Sequence, residues 1–162
     1  YGLVGSEMCI RDRCDTANRS LCGMTKDMLP VYKGLYEKLG NEPLFLYNYS
    51  AELNVAGRYE ESLRICKASS VRMSDYYTRL LQADNCKQLR RYKEAERHLQ
   101  QASYMCPNRF TPLYELYTIY KAQGDTASMH RTAEAILRKP IKVDSPEVRQ
   151  IIAKMKRFKQ IN

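Results

Sequence analysis

A chain of 162 residues with 44% hydrophobic content is long enough to bury one continuous core and too apolar to be mainly a disordered tail. No run approaches the roughly 20 consecutive apolar residues that span a bilayer, so the sequence predicts no membrane-spanning helix here. Lys and Arg outnumber Asp and Glu by 27 to 18, and the net +9 suits an acidic protein, a nucleic acid or an anionic membrane surface without selecting among them.

In chain order, residues 1–13 (YGLVGSEMCIRDR) continue none of the patterns that follow, and SEMCIRDR resembles a translated sequencing adapter; the segment is set aside as non-native. With no initiator Met and no signal peptide, the chain reads as a fragment of something longer. Residues 14–41 form a partial N-terminal unit, in which Met28, Tyr32, Leu35 and Leu39 fall on one helical face as the second half of an earlier hairpin.

From residue 42 the chain repeats itself. GRYEESLRI at 57–65, RRYKEAERHL at 90–99 and a weaker GDTASMHRTA at 124–133 begin 33 and 34 residues apart. The predicted units are 43–75, 76–109 and 110–143. Helix starts are marked by Glu42-Pro43, Ser74-Asp75, Thr111-Pro112 and Ser145-Pro146-Glu147. In the first unit Leu46, Tyr49, Ser50 and Leu53 face Tyr59, Ser62 and Cys66, with Ser50 opposite Ser62. In the second, Leu80, Leu81 and Ala83 form the stripe and Ala83 faces Ala95. Small residues there let backbones approach. The third keeps Leu113, Leu116 and Tyr120 but has Tyr117 and Met129 where small residues belong, which predicts a splayed hairpin. Beyond Lys139-Pro140, a helix at 146–160 carries Val148, Ile151, Ile152, Met155 and Phe158 on one face, and suits the end of an array that must cover apolar surface.

The period, together with Ala95, Leu99, Ala102 and Pro107, resembles the tetratricopeptide repeat (TPR). The resemblance implies an all-α, TPR-like α-solenoid of antiparallel helix hairpins with a C-terminal amphipathic capping helix. In such arrays the first helix of each hairpin lines the inner groove. The candidate partner-binding residues are therefore Tyr47, Asn54, Tyr77, Asp84, Lys87, Tyr114, Thr118 and Lys121. Tyrosine offers rigid contact area with a polar tip, so the expected occupant is an extended peptide or a neighbouring helix. The alternative is that these tyrosines pack between hairpins. Chaperone-binding relatives hold a terminal carboxylate with Lys and Asn where this chain has Tyr47, Ala51 and Thr111, so a chaperone adaptor is disfavoured. Lys154, Lys156, Arg157 and Lys159 make a basic surface whose alternative use is an anionic membrane or a nucleic acid, the latter less expected.

No nucleophile with a base, paired carboxylates or phosphate-cradling loop is recognisable, so the segment is read as non-catalytic and without cofactor. Gly57 and Gly124 fall in inter-helix turns, and Glu60 and Glu61 suit a helix N-terminus. No pair among Cys9, Cys14, Cys22, Cys66, Cys86 and Cys106 shows the short C-x2-C spacing, and His98 and His130 stand alone, so no metal site is expected. Three of the cysteines lie in helical patterns, and buried free thiols are the favoured reading, Cys66 and Cys86 in neighbouring helices above all.

A closer resemblance covers about residues 30–158. LFLYNYSAELNVAGRYEESL, LLQADN, MCPNRFTPLYELYTIYKAQGD and KPIKVDSPEV are similar to the C-terminal repeat region of bacterial O-antigen ligase or polymerase-type membrane proteins. Sugar transfer in that family belongs to a membrane portion not represented here, so no catalytic residue carries over. The resemblance implies a soluble appendage of envelope polysaccharide assembly, tethered to the inner membrane and contacting a partner protein or its own parent's membrane domain. A free-standing cytoplasmic adaptor is the alternative.

Overall fold

The computed structural model describes residues 25–71 and 74–161. The adapter-like segment, Cys9, Cys14 and Cys22 lie outside the described residues. Within them all regular structure is helical: α1 (Thr25–Leu39), α2 (Pro43–Val55), α3 (Tyr59–Ser70), α4 (Tyr76–Gln88), α5 (Tyr92–Met105), α6 (Thr111–Gln123), α7 (Thr126–Arg138) and α8 (Pro146–Ile161). Each helix packs chiefly on its neighbours in sequence, and α2 also touches α4, giving a solenoid of hairpins α2/α3, α4/α5 and α6/α7 between α1 and α8.

The helix ends follow from local chemistry. Pro43 opens α2, where its missing N–H would have no intrahelical acceptor. Asp75 caps α4 by accepting the Thr78 N–H at 2.7 Å, Asp125 caps α7 through Ser128 at 3.0 Å, and Ser145 caps α8 through Val148 at 3.2 Å. Thr111, expected to open α6 as a cap, is already helical; Phe110 occupies the capping position, and the Thr111 hydroxyl is 3.2 Å from Glu147 of α8.

The three intra-hairpin turns are built alike. Gly57, Arg90 and Gly124 have φ of 77°, 58° and 73°, and the residue after each donates its N–H five residues back: Arg58 to Leu53, Arg91 to Cys86 and Asp125 to Tyr120. The left-handed conformation is cheap for glycine and costly for arginine. Arg90→Gly is therefore expected to raise stability by about 0.5–1 kcal/mol, and Gly124→Ala, whose new Cβ meets nothing, to lower it by about 1 kcal/mol through backbone strain alone. Urea unfolding followed by circular dichroism checks both signs.

At the first hairpin crossing the Ser62 hydroxyl donates to the Ser50 carbonyl at 2.6 Å, and at the second Ala83 and Ala95 share one buried cluster. The α6 and α7 backbones approach less closely, because Tyr117 and Met129 occupy the third crossing. Three apolar clusters run along the array. Tyr32, Phe45 and Tyr49 anchor the first, with Tyr32 stacked on Tyr49 at 5.3 Å. Leu63, Cys86, Leu99, Leu116 and Ile119 join the second hairpin to both neighbours. In the third, Ile151 and Met155 of α8 seal Phe110, Ala133 and Ile136. Among the described residues no helix is long and apolar enough to cross a membrane.

Candidate partner-binding groove

The first helices α2, α4 and α6 lie side by side, and a polar ladder crosses them. Asn54 donates its amide to Asp84 at 2.8 Å and to Asn85 at 3.1 Å. The Lys87 ammonium reaches Glu115 of α6 at 2.6 Å and Asp84 at 3.4 Å. The Thr118 hydroxyl donates to the Glu115 backbone carbonyl at 2.8 Å and also lies 3.3 Å from its carboxylate. Four of the predicted groove residues, Asn54, Asp84, Lys87 and Thr118, are thus brought onto one surface, and Asn54, Asp84 and Lys87 also strut adjacent hairpins. Burial lowers the Lys87 pKa, but the hydrogen bond and charge of Glu115, with Asp84, outweigh it and the net shift is upward. Beside this pair a crevice of about 210 Å³ opens between α4 and α6, walled by Leu80, Ala83, Leu99 and Ile119.

The tyrosines divide. Tyr77 is 54% exposed, edge-on to Tyr76 at 5.2 Å. Tyr47 is half-buried, and burial, then the charge of Asp75, push its hydroxyl pKa up. Tyr114 stacks on Tyr117 at 6.4 Å; its hydroxyl accepts from Lys154 of α8 at 2.9 Å, and its ring lies under the same ammonium at 5.1 Å. The four predicted basic-surface residues of α8 do not form one patch. Lys154 and Arg157 turn toward α6 and share a cleft with Lys121, Lys159 pairs with Glu134 at 3.7 Å, and Lys156 is exposed.

No family model matches the chain, and no curated protein matches it. Solved structures do. MamA from Desulfovibrio magneticus RS-1, residues 41 to the end, superposes with a TM-score of 0.70 at 13% identity, over 75% of this chain and 69% of that one. A thermophilic TPR protein from Thermus thermophilus gives a TM-score of 0.67 at 15% identity, over 90% of this chain and 79% of that one. The fold is the TPR solenoid. At such identities the likeness is one of fold.

Two residues of the candidate groove escaped sequence reasoning. Glu115 neutralises Lys87, and Asn85 orients Asn54 while donating to Ser62 at 2.7 Å. Glu115 had a signal, since it lies one turn before Thr118 on the same face; Asn85 had none, because it is fully buried. Cys66 and Cys86 are buried free thiols, and burial pushes the Cys66 pKa up to about 11, the opposite of nucleophile activation. Cys106 sits at the C-cap of α5, part-exposed.

Behind the groove, His98 of α5 faces Arg79 of α4, with the guanidinium 3.4 Å from Nδ1. Arginine only donates, so Nδ1 accepts and the neutral ring carries its proton on Nε2. Burial, then the Arg79 charge, lower the pKa from 6.5 to about 4. The unfolded chain takes up this proton first, so the contribution is intact above 6.5 and is lost as pH falls toward 4. The thermal midpoint is expected to drop as pH falls from about 6.5 to 4, and His98→Gln to flatten that part of the profile.

Proposed function

We propose that this chain is a non-catalytic protein-interaction module that holds an extended peptide or a partner helix along the surface shared by α2, α4 and α6. One observation carries the reading: the half-exposed ladder from Asn54 through Asp84, Lys87 and Glu115 to Thr118 runs across three hairpins, with Tyr114 beside Thr118 at its end and Tyr77 exposed on the middle first helix. Such a surface presents donors, acceptors and aromatic area in a fixed order, as a binding site for an extended chain requires. The test is selection of peptides from a displayed library on the immobilised chain, followed by calorimetry. Tyr77→Ala is expected to weaken selected peptides about 10-fold, whereas Lys93→Ala, exposed on α5, leaves them unchanged. Peptides indifferent to Tyr77 and Tyr114 but sensitive to Lys93 would sink the reading.

Within it, the resemblance across residues 30–158 supports a soluble C-terminal appendage of an O-antigen ligase or polymerase-type protein, held at the inner membrane of a bacterial envelope. The occupant of the groove would then be another envelope protein or the parent's own membrane domain. Reading the contiguous upstream coding sequence decides it. Several spanning-length apolar segments ending shortly before Cys14 support the appendage, and a soluble upstream region leaves a free-standing adaptor.

A further inference from the structure

We infer that the C-terminal end of the groove is an acidic-peptide subsite, formed where α8 folds against α6; the inference deepens the groove reading and rests on it. Lys121 of α6 with Lys154 and Arg157 of α8 line one cleft of about 370 Å³, floored by Tyr114, Tyr117 and Phe158. Among the described residues no carboxylate pairs with any of the three cations. The nearby acids are committed elsewhere: Glu115 to Lys87 at 2.6 Å, Glu134 to Arg138 at 2.8 Å, and Asp125, one turn after Lys121, to the Ser128 N–H at 3.0 Å. Three like charges held together without a counter-charge repel one another, and an anionic guest relieves that repulsion.

Lys154 is positioned before any guest arrives. Its Tyr114 contacts use one of three N–H donors and hold the ammonium over the cleft, so little side-chain freedom remains to be lost on binding. Arg157 brings a guanidinium that can take a carboxylate through two parallel hydrogen bonds. The aromatic floor suits the apolar stem of a glutamate or a flanking leucine.

A membrane surface fits less well. Insertion of α8 needs its apolar face outward, but Ile151 and Met155 are 4% and 1% exposed, spent on the core. A nucleic acid needs cations tracking a backbone, whereas the basic residues of α8 divide between this cleft, Glu134, Asp144 and solvent.

The experiment is fluorescence anisotropy of the whole chain with a rhodamine-labelled peptide alternating Glu and Leu, beside its Gln counterpart. The acidic peptide is expected to bind at least about 10-fold tighter, and to weaken as salt rises to about 0.5 M. Lys121→Glu with Arg157→Glu should abolish the difference between the two peptides, with an unchanged circular dichroism spectrum and melt confirming the fold. Equal affinity for both peptides, or acidic binding that survives the charge reversal, overturns the subsite. If that surviving binding is lost in Tyr77→Ala, the wider groove reading stands while the subsite falls. Preference for an oligothymidylate or for phosphatidylglycerol vesicles over the acidic peptide also overturns it.

Discussion

Leu99→Ala is expected to destabilise the chain by about 2–5 kcal/mol, the largest loss foreseen for a single truncation here. Leu99 of α5 is 1% exposed and packs in one cluster with Leu63 of α3, Cys86 of α4, and Leu116 and Ile119 of α6. Truncation removes transfer energy and leaves a void, and the adjoining 210 Å³ crevice offers water a way in. In a solenoid the cost falls mainly on the coupling between neighbouring units. The aromatic cluster of α1 and α2 and the α7/α8 seal keep their own contacts. Urea unfolding of Leu99→Ala should therefore show a lower midpoint and a shallower slope. Hydrogen exchange should rise first in α4, α5 and the start of α6. A midpoint shift with an unchanged slope and uniform loss of protection would instead mean that the array unfolds as one unit.

The same cluster shows why the fold was legible. A solenoid is held by contacts between neighbours in sequence, so the 33- and 34-residue period prints the architecture directly on the chain. Arg90 is instructive: no propensity rule places arginine at a left-handed turn, yet alignment with Gly57 and Gly124 puts it there, and its φ is 58°. Tyr117 and Met129 likewise forecast the looser third crossing from size alone. What remained hidden were contacts between hairpins. Asn54 and Lys87 read as outward-facing groove residues, but their pairing with Asn85 and with Glu115 depends on the angle between successive first helices, which side-chain spacing within one helix does not encode. The division of the α8 cations was hidden for the same reason, since Lys154 and Lys159 differ only in what the neighbouring helices place opposite them.

Ser62→Ala is expected to cost about 1–3 kcal/mol, although it removes a single oxygen. The Ser62 hydroxyl is fully buried, donates to the Ser50 carbonyl at 2.6 Å and accepts the Asn85 amide at 2.7 Å, while Asn85 in turn accepts from Asn54 at 3.1 Å. The relay ties α3 to α2 within a hairpin and to α4 of the next. Removing its middle member strands the Asn85 amide N–H in the core, where an unpaired donor carries its full desolvation penalty. Adding Asn85→Ala deletes that stranded donor, so the double variant should lie well above the sum of the two singles in stability. A coupling of about 1 kcal/mol or more from a double-mutant cycle in urea is the expected result. Additivity within about 0.5 kcal/mol would show that the two side chains act independently and that α2, α3 and α4 are coupled through apolar packing alone. The relay also orients Asn54 toward Asp84, so the same cycle read by peptide affinity asks whether the groove inherits its order from this buried polar chain or from the helices themselves.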